Sequence, residues 1–336
     1  MKVLQVRNVN EALYEGLRYL SYFGITQESR FGDVVVSPEP VTTVYKQPRE
    51  RVLLNPKRDA NPFFHFFESL WMLAGRNDVA YMEYILPSFK QFSDDGVTFH
   101  GAYGYRWRQH FDRDQLVEIV DILQKNKRDR RAVLGMWDPR VDLNAPGKDF
   151  PCNTNIYFSC INDTLDMTVC NRSNDIVWGA YGANAVHMSV LQEFVASVVG
   201  VPVGKYYQIS NNYHAYTKTS GHLINQIEYN KNYDPYTVLD IFPLMQINWS
   251  NWLGELDMFL SQPTAIGYRD PFFRRVALPI WNSFQAYKSD EKNKFQMAAQ
   301  EIELCVADDW REGIKLWLAT RKQNHEKREA ENNAGD

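Results

Sequence analysis

The sequence predicts a fold of the α/β (α+β) class. Segments with apolar residues at helical spacing alternate along the chain with shorter segments whose composition is typical of strands. The 336 residues are 44% hydrophobic and 14% aromatic, which is enough apolar material for a large core. No internal repeat or low-complexity linker divides the chain, so we expect one elaborated domain over residues 1–320.

Helices are predicted at several places before Gly200. Residues 10–22 and 61–74 carry apolar residues at helical spacing. Residues 114–125 do the same and have an aspartate at their start, which favours a helix N-terminus. Residues 183–199 are apolar around much of the helix circumference and precede Gly200, a pattern that predicts a buried helix with a glycine C-cap.

Strands are predicted at residues 131–137, 155–160, 165–170 and 205–210. The second and third of these segments are separated by a short turn containing Asn162-Asp163, so they should form a hairpin. Because the 114–125 helix has one apolar face, we expect it to pack on the resulting sheet.

The C-terminal part of the chain again favours helices. Helical patterns follow residue 217 and end in one long predicted helix over residues 291–320. Residues 321–336 are rich in charge, and we expect them to form a mobile tail.

Composition excludes several classes of partner. A formal net charge of -4 argues against broad attraction to nucleic acid but allows a local basic pocket for a small phosphate. No apolar run approaches the roughly 18 residues of a membrane-spanning helix, and we expect no signal peptide. The cysteines lack CxxC or zinc-ligand spacing, so we expect no metal and a cytoplasmic protein, in the host cytoplasm if it is viral.

The segment that follows Cys152 carries a series of spaced motifs. In order they are Pro151-Cys152, Arg172-Ser173 with Asp175, Gly179, Asn184, and His214 with Tyr216. The series resembles the thymidylate synthase family, and the interval from Cys152 to Arg172 fits that family without a gap. One extra residue lies between Arg172 and His214, and we place it within residues 180–183. Several motifs in the right order are stronger support than any single one.

Upstream motifs extend the resemblance over roughly residues 30–216. They are Glu68-Ser-Leu-Trp71, Tyr103-Gly104, Trp107-Arg108, Arg130-Arg131 and Trp137. The resemblance implies a thymidylate synthase fold, in which a large twisted mixed sheet is covered by helices and two copies form a homodimer through their sheet faces. It also implies 5,10-methylenetetrahydrofolate as co-substrate and a pyrimidine deoxynucleoside monophosphate as substrate.

Cys152 is the predicted nucleophile. An isolated cysteine in a cytosolic protein is usually an inert small hydrophobe, and the surrounding motifs decide against that interpretation here. Carbon 5 of uracil is a poor nucleophile, so addition of a thiolate at carbon 6 is needed to make carbon 5 attack a one-carbon electrophile. Arg172 near the thiol would stabilise the thiolate and lower its pKa.

Arginines are the expected phosphate ligands, because forked guanidiniums neutralise a dianion well. Arg30, Arg172 and Ser173 are the candidates within the subunit. The resemblance assigns Arg130 and Arg131 to the site of the partner subunit, which implies a twofold homodimer. The alternative is that these two arginines only cap a solvated strand end.

The resemblance assigns the other roles. Glu68 relays protons to the ring, the alternative being a carboxylate on a helix surface, and Tyr103 assists removal of the proton from carbon 5. Asn184 reads the base, and its amide favours uracil over cytosine. The remaining assignments are the sugar hydroxyl for His214 and Tyr216, and the folate for Asp175, Phe89, Trp71 and Gly179.

Departures from the family pattern bear on the product. Phe89 and Phe92 stand where the family has tryptophans, and Asn153 stands where it has a histidine. Residues 332–336 do not resemble the apolar tail that closes the family's site, so we expect water to reach the methylene intermediate and give 5-hydroxymethyl-dUMP. The alternatives are a true thymidylate synthase, a dCMP hydroxymethylase, and a nucleotide-binding protein without turnover. The resemblance also makes phage DNA modification the expected setting.

Overall fold

The computed structural model describes residues 1–29, 31–223, 226 and 234–334. The chain divides into two compact units. The first contains Met1–Arg51 and Phe64–Tyr229, and the second contains Val52–Phe63 and Asn230–Asp336. Every described residue that is a candidate for the functional site belongs to the first unit.

Strands and helices alternate in the first unit. The strands are β1 (Lys2–Val6), β2 (Ile25–Gln27), β3 (Val34–Val36), β4 (Val41–Tyr45), β5 (Val133–Gly135), β6 (Asn153–Ile161), β7 (Thr164–Asn171), β8 (Asn174–Asp175), β9 (Val203–Ser210) and β10 (Tyr213–Tyr216). The helices are α1 (Val9–Phe23), α2 (Pro62–Leu73), whose first turn begins in the second unit, α3 (Val79–Ile85), α4 (Tyr103–Arg108), α5 (Gln115–Lys125), α6 (Asn184–Val199) and α7 (Thr217–Ser220).

The strands of the described residues form two sheets. The larger has the order β1-β4-β9-β7-β6-β5, and the smaller has the order β2-β3-β10-β8. In the larger sheet β1 runs parallel to β4 and β7 runs parallel to β9, whereas the other neighbours are antiparallel. The predicted α/β (α+β) class with a mixed sheet is therefore confirmed.

Helix α6 fills the core beneath the larger sheet. It is buried around nearly its whole circumference, as its apolar composition predicted, and it packs on β7 and β9. Gly200 ends it with φ of 72°, a left-handed conformation that glycine adopts without strain. The helices predicted at 10–22, 61–74 and 114–125 are also present. At most of their ends the observed bound differs from the predicted bound by one residue.

The predicted hairpin is β6–β7. Asn162 and Asp163 have φ of 53° and 58°, as a tight two-residue turn requires, and Ile161 pairs with Thr164 across it. The strand predicted over 131–137 is shorter, since only Val133–Gly135 pairs with β6. Arg131 is held instead in a turn, where its backbone N–H donates to the Asp129 carboxylate.

The second unit is helical. Its helices are α8 (Trp249–Ser261), α9 (Leu278–Lys288), α10 (Lys294–Ile302) and α11 (Asp308–Ala334). The single helix predicted over 291–320 is wrong, because the chain leaves the helix after Ile302 so that Cys305 is buried and the Val306 N–H donates to the Arg275 carbonyl. Residues 321–334 continue α11, and the proposed domain bounds stay a prediction. None of the described helices has the length and apolar character needed to cross a membrane.

Candidate active site

The β6–β7 hairpin brings Cys152 and Arg172 together. Cys152 directly precedes β6 and Arg172 directly follows β7, and the Arg172 N–H donates to the Cys152 carbonyl at 2.9 Å. The Arg172 guanidinium lies 3.9 Å from the Cys152 sulfur through Nη2. It also donates to the carbonyls of Phe150 and Pro151, at 3.3 and 3.0 Å. These bonds fix the cation beside the thiol, as the motif spacing predicted.

The Cys152 thiol has a pKa above its ordinary value. Burial is the main cause, and the negative charges of Asp149 and Asp175 raise the pKa further. Arg172 and a hydrogen bond with Tyr103 lower it, so the predicted effect of Arg172 is present but is smaller than the effect of burial. In the free protein the thiol is therefore mainly protonated at neutral pH, and an added positive charge or a proton acceptor is needed to make the thiolate.

Tyr103 reaches the nucleophile from α4. Burial is the main cause that holds the pKa of its hydroxyl well above the ordinary value, and the nearby backbone of Cys152 and Asn153 acts in the opposite direction. The helix can approach α2 closely because the next residue is Gly104. A Cβ at Gly104 would lie 2.0 Å from the Met72 carbonyl oxygen, so any side chain there would push the two helices apart.

Glu68 projects from α2 and is buried. Its Oε2 lies 2.9 Å from Nε2 of His187, which belongs to α6 and is also buried. The interpretation of Glu68 as a helix-surface carboxylate is therefore excluded. Among the described residues neither of these two atoms has a hydrogen-bond partner of good geometry.

Asn184 lies at the start of α6 in a chain of amides. Its Nδ2 donates to Asn174 Oδ1 at 3.2 Å, and Asn174 Nδ2 donates to Ser210 Oγ at 3.0 Å. Gly179 leaves room for this chain, since a Cβ there would lie 2.9 Å from Asn174 Oδ1. Asn174, the variable position of the Arg-Ser-x-Asp motif, was missed by the sequence analysis although it orients the predicted base-reading amide.

His214 and Tyr216 lie on β10 with their rings edge to face, 5.5 Å between centroids. β10 pairs with β8, and this register places His214 opposite Asp175. Burial lowers the pKa of His214, although Asp175 acts in the opposite direction, so the imidazole is neutral near pH 7. A neutral ring offers one donor and one acceptor, which suits a sugar hydroxyl.

The arginines predicted to bind phosphate are exposed where they are described. Arg172 and Arg130 are exposed and Ser173 is half-buried, whereas Arg30 lies outside the described residues. The Arg131 side chain is 80% exposed and pairs with Asp129, and this pair lowers the pKa of Asp129 to about 2. Their contact with phosphate stays a prediction.

Comparison with known proteins agrees with this arrangement. The family model described as Thymidylate synthase matches residues 52–249, a stretch that includes most of the site. The chain belongs to the thymidylate synthase family.

Phage proteins are among the relatives of this family member. The deoxyuridylate hydroxymethyltransferase of Pseudomonas phage M6 is 49% identical over 98% of this chain and 97% of its own length. The protein of the same name from Bacillus phage SP01 is 36% identical over 66% of this chain and 63% of its own length. A third, from Delftia phage PhiW-14, is 33% identical over 61% of this chain and 59% of its own length.

The thymidylate synthase family uses methylenetetrahydrofolate as co-substrate, and two of the four predicted folate contacts are aromatic side chains. Phe89, in a 3₁₀ turn (Pro87–Phe92), lies 5.0 Å from both Phe64 and Phe99 between ring centroids. Trp71 is buried, and its indole N–H donates to Asp78 at 3.1 Å. The contacts of Phe89 and Trp71 with folate stay predictions. No cluster that could hold a metal ion is found among the described residues.

Two buried polar residues near the thymidylate synthase motifs carry further information. Asn153 is fully buried, and neither polar atom of its amide has a partner in the described part of the chain. His187 was missed by the sequence analysis, because α6 was interpreted only as an apolar core helix. The available signal was its spacing of three residues from Asn184, which places both on one helix face.

Proposed function

We propose that the protein transfers a one-carbon unit from 5,10-methylenetetrahydrofolate to carbon 5 of dUMP and releases 5-hydroxymethyl-dUMP. The observation that carries the proposal is the Cys152 thiol, whose sulfur lies 3.9 Å from Arg172 Nη2 at the open end of the β6–β7 hairpin. The phage relatives named deoxyuridylate hydroxymethyltransferase support both the substrate and the product. Their origin supports a role in supplying modified nucleotides for phage DNA.

The first chemical step is the attack of Cys152 on carbon 6 of the pyrimidine. The thiol proton must leave, and the Arg172 charge at 3.9 Å stabilises the sulfur anion as it forms. The new bond converts the ring into an enolate whose carbon 5 is nucleophilic. Methylenetetrahydrofolate supplies the electrophilic carbon that this enolate attacks.

Proton transfers complete the reaction. Carbon 5 must lose its proton before folate can leave, and Tyr103 is the proposed group that assists this removal. Its hydroxyl is buried next to the nucleophile, close enough for Cys152 to affect its pKa. Glu68, buried on α2, is the proposed proton relay to the ring.

Uracil is the proposed base because of the orientation of the Asn184 amide. One Asn184 N–H is already donated to Asn174, which leaves Oδ1 as an acceptor for the N3–H of uracil and the second N–H as a donor for O4. Cytosine has no proton on N3 and carries a donor in place of O4. The same amide would therefore face two mismatched groups on dCMP.

A hydroxymethyl product requires water at the methylene carbon. Phe89 and Phe92 replace the tryptophans of the family pattern, and Phe92 is 51% exposed. Smaller rings at this place cover less of the intermediate, which supports hydration over reduction.

A homodimer is proposed through the outer face of the larger sheet. Val133, Tyr157 and Ile161 lie on the same face, and they are 40%, 43% and 56% exposed. An exposed row of apolar side chains on a sheet face favours burial against another surface. The twofold partner would then receive Arg130 and Arg131 at its phosphate site.

Product identity tests the function directly. The protein is incubated with dUMP and methylenetetrahydrofolate, the nucleotide is measured by mass spectrometry, and dihydrofolate is followed by absorbance. We expect 5-hydroxymethyl-dUMP and tetrahydrofolate, with no product from the matched Cys152→Ala variant and little from dCMP. Equal amounts of dTMP and dihydrofolate would reject the hydroxymethyl product in favour of a true thymidylate synthase, and release of no tritium from carbon 5 would leave only a binding protein.

A further inference from the structure

Glu68 and His187 form a buried acid–imidazole pair that the reaction scheme above uses only in part. Both residues are buried, on α2 and α6, with Oε2 and Nε2 separated by 2.9 Å. Burying a carboxylate and an imidazole is costly unless each compensates the other. An apolar residue at position 187 would serve the packing of α6 better, because the rest of this helix is mostly apolar and buried.

The surroundings of the pair also point to a polar reactant. Glu68 Oε2 and His187 Nε2 lack hydrogen-bond partners of good geometry among the described residues. Asn184, the proposed base reader, lies one turn before His187 on the same helix. Unsatisfied buried polar atoms that accompany a substrate-reading residue are typical of a site that binds a water molecule or a substrate atom.

We propose that His187 is a positioning residue for Glu68 during the addition of water to the methylene carbon; the proposal rests on the proposed function. The close contact of imidazole Nε2 with Oε2, at 2.9 Å, restrains the carboxylate, and the other carboxylate oxygen accepts the proton of water. The water oxygen bonds to the exocyclic carbon, and the electron pair of the methylene double bond moves into the ring enolate. The enolate then reforms the carbon 5–carbon 6 double bond and expels the Cys152 thiolate, which is reprotonated while Glu68 gives up its proton.

The step balances without an oxidant or a reductant. Water supplies a hydroxyl group to the nucleotide and one proton, and carbon 5 has supplied another proton earlier in the reaction. Tetrahydrofolate has already left with the carbon 5 proton and the proton that the Cys152 thiol released on attack, and the proton from water restores the thiol. His187 is neither consumed nor bonded to the substrate, so its effect must pass through Glu68.

Two matched substitutions separate positioning from packing. His187→Gln keeps an amide N–H near the place of imidazole Nε2, whereas His187→Leu keeps only the bulk. We expect His187→Leu to lower kcat for 5-hydroxymethyl-dUMP by at least about tenfold with little change in the KM for dUMP, since general-base positioning is lost and binding is not. His187→Gln should retain kcat within about threefold of the unmodified protein.

A double-mutant cycle with Glu68→Gln gives the second readout. If His187 acts through Glu68, His187→Leu should lower kcat by less than about twofold in the Glu68→Gln background. The covalent adduct with 5-fluoro-dUMP and methylenetetrahydrofolate should still form in both His187 variants, because it needs Cys152 but no water. Adduct formation also reports that each variant is folded.

Opposite outcomes are distinguishable. Equal kcat for His187→Leu and His187→Gln would overturn the positioning role. It would also be overturned if the fold-decreases in kcat caused by His187→Leu and Glu68→Gln multiplied in the double variant. Failure of His187→Leu to form the adduct, with a kcat of His187→Gln close to that of the unmodified protein, would also overturn it. His187 would then be needed for folding rather than for positioning Glu68. Release of dTMP by the unmodified protein would instead overturn the proposed function, which is measured first and independently.

Discussion

The groups around Cys152 shift the pKa of its thiol in opposite directions. Burial, Asp149 and Asp175 raise its pKa, whereas Arg172 and Tyr103 lower it. The nucleophile is thus mainly a thiol in the free protein. Because each neighbour is a separate side chain, the contribution of each can be measured by substitution.

Alkylation with iodoacetamide should report the thiol pKa. Arg172→Gln removes the stabilising charge, so the rate against pH should move to higher pH, whereas Asp149→Asn should move it to lower pH. Cys152→Ala corrects for alkylation of the half-buried Cys160 and Cys170. Shifts of the same sign in the two variants would contradict the proposed charge balance.

Base selection is the second property that depends on one residue. Asn184→Asp replaces the N–H that is donated to Asn174 by a carboxylate oxygen, so the two facing oxygens repel each other unless Asn174 turns over. We expect kcat/KM for dUMP to fall by about tenfold or more and the ratio of dCMP to dUMP turnover to rise modestly. Asn184→Ala is the control for loss of the amide alone. An unmodified protein already faster on dCMP would remove the basis of this prediction.

Helix α4 connects the nucleophile to a buried ion pair. Tyr103 lies in its first turn, and one turn later Arg106 is fully buried and donates to both oxygens of Asp142 at 2.9 and 2.8 Å. Burial disfavours the Asp142 charge, but Arg106 and His100 hold the pKa of this carboxyl below its ordinary value. The pair ties the segment before Cys152 to the helix that carries Tyr103.

Removal of the guanidinium should destabilise the fold. Arg106→Met leaves a buried carboxylate without its partner, and we expect the free energy of unfolding in urea to fall by about 3–5 kcal/mol. The exposed pair of Arg113 with Glu118 provides a control, since Arg113→Met should have little effect. The lowered pKa of Asp142 adds stability above the ordinary carboxyl pKa, so the difference between variant and parent should shrink as the pH falls through the folded-state pKa. An unfolding energy equal to that of the parent would exclude this anchoring role.

The assembly of two copies is testable at the scale of the whole molecule. If Arg131 serves the partner's site, a mixture of Cys152→Ala and Arg131→Ala proteins should regain activity, because one site of each mixed dimer has both groups. Random exchange makes about a quarter of all sites competent, so about a quarter of the parent activity is expected. Each variant alone, exchanged with itself, is the control. A mixture no more active than its better component would place Arg131 in its own subunit's site or outside the site.

The predictability of this molecule depends on the distance in sequence between interacting residues. The pairing of Cys152 with Arg172 followed from motif order and from one hairpin whose turn residues are visible in the sequence. The contact of Glu68 with His187 joins two helices far apart in the chain, and no local pattern reports it. The end of α10 at Ile302 was missed because the burial of Cys305, a tertiary effect, interrupts a favourable helical pattern.

The hairpin register also constrains how the chain can evolve. Thiol and guanidinium stand at the two open ends of paired strands, and the register shift between Asn153 and Asn155 already absorbs the extra residue of β6. An insertion or deletion of one residue in one strand alone would shift the register between β6 and β7, so that Cys152 no longer lies opposite Arg172. It would also turn the side chains beyond that point to the opposite sheet face. Length changes in this part of the chain should therefore be inherited in compensating pairs, one in each strand, even at positions that never touch a substrate.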